Sequence, residues 1–241
     1  MYGFVYDGTY KEEDFNITVN ENGKKTYELK PGVPKFKDGC QPGDPKYKNI
    51  DGSEDNLITD NDRTVIGNGH PLHTGGFTNN FVYKNWDLNI FLQWSYGNDV
   101  FNVNRLVMEN PGAKKQLNQF ASYKNRWSES NPTSNIPRVR AVGADEYSSL
   151  YVEDGSFLKL KTISLGYNFD TKTLKRIGLS AARVFVSAEN IATITGYSGS
   201  DPEVSTRHSV LTPGFDWSAY PRAFNCLLYT SPSPRDTERS R

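Results

Sequence analysis

The chain is short of almost everything that marks a familiar soluble enzyme. Its 241 residues include two cysteines, three histidines and no excess of charge, 28 basic side chains standing against 28 acidic ones. Cys40 and Cys226 are too few for a disulfide framework and have no metal-ligand spacing. A formal charge of zero argues against a nucleic-acid binder that works through bulk positive charge. No run of 18 apolar residues occurs, which excludes a membrane-spanning helix. The stretch after Met1 has neither a basic start nor an apolar core, so no signal peptide is read there. That fits a cytoplasmic protein, or a piece of a longer one. Helical periodicity is scarce, and the one plausible helix, near Val103 to Trp127, is sparsely apolar. GxGxxG, P-loop and Ser/His/Asp patterns are absent, so an enzyme is not expected.

What the chain has is aromatic side chains, 14 Tyr, 13 Phe and 4 Trp, within a hydrophobic content of only 36%. So many aromatics argue against disorder. A low mean hydropathy is also compatible with membrane β-strands, which are apolar on one face only. From Trp86 to Tyr96 the alternation is nearly strict. Trp86, Leu88, Ile90, Leu92, Trp94 and Tyr96 fall on one face, and Asp87, Asn89, Gln93 and Ser95 on the other, with only Phe91 breaking the pattern. Eleven residues at this period are about the length of a tilted membrane strand, with aromatics at both ends for the interfaces. A half-buried strand of a soluble sheet fits this segment equally well.

Further strands are expected over about Thr74–Tyr83, joined to the first by Lys84-Asn85, over Ser156–Phe169 and over Ala181–Thr193, with a fifth beginning near Trp217. Leu158 and Leu160 are out of phase with Ile163, Leu165, Tyr167 and Phe169, which predicts a bulge near Thr162. Asp87, Asn89, Gln93, Arg183 and Glu189 then share a polar face. Short connections at 84–85 and 170–179 alternate with long ones at 97–155 and 195–216. Short turns on one side and long loops on the other are the habit of outer-membrane barrels.

One acidic stretch has metal-ligand spacing. From Asp51 to Asp62 the oxygen-bearing positions of an EF-hand loop are filled by Asp51, Ser53, Asp55, the Leu57 carbonyl, Thr59 and Asp62. Asn56 replaces the usual glycine, tolerable because Asn accepts positive φ, and Asp62 replaces the longer glutamate. The rival reading is a solvated acidic turn; Ca²⁺ is the cofactor expected otherwise. His70 and His73 have i, i+3 spacing but flank a proline and read as a surface pair, and His208 stands alone. Glu12-Glu13-Asp14 reads as an exposed charged run.

Four stretches together resemble the C-terminal part of SusC/RagA family TonB-linked outer-membrane proteins. They are Gly43–Gly67 (GDPKYKNIDGSEDNLITDNDRTVIG), Gly76–Phe101, Tyr151–Phe169 (YVEDGSFLKLKTISLGYNF) and Val184–Val204, the last followed by Trp217–Arg222 (WSAYPR). The similarity covers most of residues 1–225 in order. The resemblance implies an all-β fold, the last strands of an antiparallel transmembrane β-barrel that this chain alone leaves incomplete. It implies import of large nutrients, glycans or peptides, across the outer membrane with a SusD-like lipoprotein, TonB acting only through N-terminal parts not in this chain. The expected organisation is an extracellular loop region at 1–73 holding the acidic loop 51–62, then barrel strands at 74–225 with extracellular loops at 97–155 and 195–216. Trp86, Leu88, Ile90, Leu92, Trp94 and Tyr96 would face outer-membrane lipid, and Trp127, Tyr147, Tyr151 and Tyr197 in the loops would contact substrate or partner. Cys226–Arg241 (CLLYTSPSPRDTERSR) has no period and resembles an in-frame translation of a sequencing adaptor, so it is expected to contribute no strand. The alternative of another class is a secreted all-β glycan-binding module, with Trp86 and Trp94 as sugar platforms.

Overall fold

A computed structural model describes residues 1–110, 118–176, 179, 181–206, 213–217 and 225–232. The chain forms two compact units, one from Met1–His70, Asp99–Glu153 and Val204–Ala219, the other from Pro71–Asn98, Asp154–Glu203 and Tyr220–Arg241.

The second unit is a sheet of five strands: β1 (His73–Tyr83), β2 (Trp86–Tyr96), β3 (Phe157–Asn168), β4 (Ala182–Thr195) and β5 (Asn225–Pro232). Each pairs antiparallel with its neighbour in sequence, a meander with open edges at β1 and β5. The β1–β2 connection is tight because Lys84 accepts a left-handed φ of 55°. The expected bulge is present. Lys161 is the extra residue between the pairs Leu160–Leu92 and Thr162–Phe91, and β4 answers with Asn190 and Ile191, Asn190 at φ 55°. This re-phasing puts Leu158 and Leu160 on the same face as Ile163 and Leu165.

Two strand expectations are corrected. Near Trp217 the described residues make the short pairing of Phe215–Asp216, which runs parallel to Phe101–Asn102; residues 218–224 lie outside the described residues. The fifth strand of the sheet lies instead at Asn225–Pro232, inside the segment expected to be aperiodic. Ladder hydrogen bonds join backbone to backbone, so an open edge such as that of β4 accepts extended chain with little regard to its side chains. Of the expected helix at Val103–Trp127, the described residues show a helix at Val103–Met108 and a 3₁₀ turn at Ala121–Asn125. Residues 111–117 of that stretch lie outside the described residues.

The first unit gathers the segments read from sequence as loops. Short hairpins pair Phe15–Val19 with Lys25–Leu29 and Tyr6–Thr9 with Pro45–Tyr47. Its cores are small and aromatic: Phe4, Tyr47 and Ile58; Tyr10, Phe15 and Cys40; Phe101, Val103 and Tyr151. Tyrosine suits such a body because the ring buries while the hydroxyl satisfies a loop carbonyl. Tyr6, Tyr10, Tyr47 and Tyr151 donate to the carbonyls of Asn135, Pro34, Gly143 and Ala144 at 2.6, 2.5, 2.8 and 3.0 Å. Burial pushes all four phenols above their ordinary pKa. The buried Asp44 accepts from Arg138 and from the backbone of Gln41 and Val142. Burial nevertheless raises its pKa, outweighing those favourable contacts.

Gly43 stands beside Asp44 at φ +87°, and a Cβ there would come within 2.4 Å of the Trp127 ring. Gly43→Ala is therefore expected to destabilise this unit by about 2–4 kcal/mol, combining left-handed strain with overpacking. Urea unfolding followed by tryptophan fluorescence measures it; a midpoint equal to that of the wild type would refute the packing described.

Candidate functional site

The register of the sheet sorts its side chains into two unlike faces. Across one face run apolar rows: Phe81, Leu88, Leu165, Val186 and Leu228; Phe77, Leu92, Leu160 and Ala192; Tyr83, Trp86, Tyr167 and Val184. Trp94 stands beside Leu158 and Ile194, and Ile90 beside Ile163 and Ala188. Asn79 of β1, opposite Ile90, is the polar exception in these rows. Much of this face is open, with Phe77, Phe81, Tyr83, Leu165 and Val186 exposed and Ile194 at 73%. Rings close its two ends. Trp86 meets Tyr167 at 4.7 Å, while His73 stacks on Tyr96 at 5.2 Å and accepts from the Trp94 indole at 3.2 Å.

The opposite face carries most of the polar side chains and is internally bonded, with Val82, Phe91 and Phe185 as apolar members. Asn89 donates to Asn80, and Asn168 to Asp87 at 3.1 Å. Arg183 of β4 reaches across β3 to Asp87 of β2, an ion pair at 2.5 Å. It can do so because Gly166 lies between them; a Cβ there would come 2.6 Å from the carboxylate and 2.7 Å from the guanidinium. Gln93, Lys159 and Thr193 form the next polar row toward the other end.

The acidic stretch 51–62 is ordered by its own backbone. Asp51 accepts from the Ser53 amide at 2.8 Å and Asp55 from the Leu57 amide at 3.0 Å. The buried Asp62 accepts from the amides of Ile50, Asp51 and Thr59 at 2.7, 3.2 and 2.8 Å. Asn56 takes the expected positive φ, 53°, and Thr59 caps the 3₁₀ turn Asp60–Asp62. Three of the six expected calcium positions, Asp51, Asp55 and Asp62, thus have carboxylate oxygens bonded to nearby amides. Among the described residues no three His, Cys, Asp or Glu side chains form a metal-holding group. A carboxylate suits an amide-binding turn as well as a cation.

The four loop aromatics also separate. Tyr151 is core, and Tyr197 is buried. Trp127 is half-buried under Gly43. Tyr147 is 42% exposed, packs on Phe101 at 5.2 Å and lines a cavity of about 370 Å³ with Phe101, Phe215, Ile66 and His70. Of the four, Tyr147 offers the most open ring. Glu12, Glu13 and Asp14 form a 3₁₀ turn in which Asp14 pairs with Lys46, and His208 lies outside the described residues.

A meander of strands of 8 to 14 residues, apolar and exposed on one face, mostly polar on the other and open at both edges, is an incomplete transmembrane barrel. Comparison with known proteins points the same way. No protein-family model matches the chain. Among curated proteins it is 33% identical over 226 residues to TonB-dependent receptor P3 of Formosa agariphila, which covers 92% of this chain and 20% of the receptor. It is 30% identical over 158 residues to TonB-dependent receptor SusC of Bacteroides thetaiotaomicron, covering 64% of this chain and 14% of that protein. The chain therefore spans a fifth or less of the length of these relatives. Among solved structures, one of the RagAB peptide transporter superposes with a TM-score of 0.64 at 23% identity, covering 95% of this chain and 22% of that one, a likeness of fold.

The homologues of this chain are TonB-dependent receptors, SusC among them, and a piece of a SusC/RagA-like protein fits both its sequence and its strands. Such receptors are outer-membrane proteins, and none of these relatives is an enzyme.

Hydrogen bonds from three amides hold the Asp62 carboxyl below the usual carboxylate range, overcoming the upward push of burial. A depressed folded pKa stabilises above the unfolded value and is lost as pH falls through the folded one. Acidification below about pH 4 is therefore expected to loosen residues 50–62 first, and Asp62→Asn, expected to cost about 1–3 kcal/mol, to flatten that part of the profile. Amide exchange of residues 50–62 against pH checks it, and a variant with the wild-type profile would contradict it.

Proposed function

We propose that this chain is part of a TonB-dependent outer-membrane transporter of the SusC kind, importing large nutrients such as oligosaccharides or peptides together with a SusD-like lipoprotein. The single observation that carries the reading is the two-faced sheet. An exposed apolar face built from every strand has no use in water but suits a hydrocarbon surround. Trp86, Leu88, Ile90, Leu92, Trp94 and Tyr96 then face lipid, with Trp86 and Trp94–Tyr96 at the two interfaces. Asp87, Asn89, Gln93, Arg183 and Glu189 line the polar interior. The segments 1–73, 97–155 and 195–216 belong to the extracellular side, where Tyr147 is the ring best placed to meet a nutrient or the lipoprotein. Energy from TonB reaches the transporter through parts outside this chain.

Outer membranes of cells expressing the complete reading frame are expected to retain the protein after salt and carbonate washes, with the lipoprotein co-purifying in detergent. Release of the protein into the soluble fraction as a monodisperse species would favour the secreted glycan-binding module instead. In reconstituted receptor, brominated acyl chains are expected to quench Trp86 and Trp94, and Trp86→Phe with Trp94→Phe to remove that quenching. Ile90→Arg at mid-strand is expected to lower the folding free energy by about 2–4 kcal/mol, and Asn89→Arg on the other face by far less. Equal costs, measured by urea unfolding in lipid vesicles, would overturn the assignment of faces.

A further inference from the structure

On the polar face, one cation has left solvent. Lys159 is 2% exposed, though it projects from a strand in a single-layer sheet. The segment that follows β4 meets it there. Asp201 and Glu203 approach the Lys159 ammonium at 2.7 and 2.5 Å, and Lys161, the bulge residue, adds a contact to Glu203 at 3.1 Å. Gln93 of β2 donates to the other Glu203 oxygen at 3.0 Å. Residues 197–203 therefore leave β4, cross β3 and reach β2 along the same face.

Both ends of this crossing are fixed. Thr195 donates to the Ser156 carbonyl at 2.8 Å and accepts from the Tyr197 amide at 3.2 Å, and the Tyr197 ring is buried. At the far end the Glu203 amide donates to Asp201 at 3.0 Å, turning the chain so that both carboxylates converge on one ammonium. Burying an ammonium costs several kcal/mol unless it is paired, and here two carboxylates answer it. The paired charges hold this segment against the wall.

We propose that residues 197–203 form a strap latched across the polar face by Lys159, and that its release widens the passage along that face. The passage rests on the reading of this face as the barrel interior; the strap itself does not. Both are tested in the complete receptor in detergent by amide exchange. Lys159→Met is expected to speed exchange of residues 197–203 at least tenfold while the middles of β2 and β3 keep the wild-type rate. Lys159→Arg is expected to restore protection. In whole cells, Thr193→Cys, next to Lys159 on this face, is expected to react with an impermeant maleimide about tenfold faster when combined with Lys159→Met. Unchanged exchange at 197–203, or exchange accelerated equally in β2 and β3, would overturn the strap. Faster exchange with unchanged labelling of Thr193→Cys would overturn the widening. Loss of the protein from the outer-membrane fraction would count against the transporter reading and leave the exchange pattern to judge the strap.

Discussion

The architecture depends on lateral pairing of backbone groups in surroundings that offer them no water. Every N–H and C=O left unpaired in hydrocarbon costs several kcal/mol, so the strands must bond to neighbours along their whole length. Once they do, the side chains have only two directions to point. From Tyr83–Trp86–Tyr167–Val184 at one end to Trp94–Leu158–Ile194 at the other, apolar residues are carried around one side of the wall. The polar side is left to hydrogen bonds and ion pairs, among them the Arg183–Asp87 contact across Gly166. Even the irregularity serves this rule. Without Lys161 and the paired excess of Asn190 and Ile191, half of β3 would present lysines to the apolar side.

Much of this sheet was legible in the sequence because period two is a strong signal over eleven residues. The alternation of β2, the short turn at Lys84 and the bulge near Thr162 all followed from which residues would otherwise face the wrong way. The fifth strand was not legible. Its pairing to β4 depends on an open edge, and edges recruit backbone rather than pattern. The segments at 1–73 and 97–155 were legible only as long and polar. Their order comes from scattered tyrosines whose rings bury and whose hydroxyls reach carbonyls in distant segments, the Tyr6–Asn135 contact being 129 residues apart in sequence. No local period announces such contacts.

The candidate site divides along the same line. Residues whose role follows from strand parity stood where the alternation put them. Residues whose role depends on convergence carry no such local signal. Asp51, Asp55 and Asp62 have calcium-like spacing, but each spends its carboxylate on nearby amides. Tyr151 and Tyr197 have the right chemistry for a sugar face, but the interior of the fold claims them. Lys159 gave the opposite surprise. A lysine on a polar face reads as solvated, and only the return of residues 201–203 from beyond β4 shows that it is enclosed.

The first unit is assembled from three separated stretches, and its Phe101 edge is completed by Phe215, which arrives 114 residues later in sequence. During synthesis both hairpins of the sheet emerge before that edge can close. A chain interrupted before that point would carry exposed apolar strands, the kind of species that aggregates. Contacts of such long range also close slowly. The timing of biogenesis is thus written into the connectivity: four strands of the wall are made before the first unit can close its Phe101 edge, and β5 follows both.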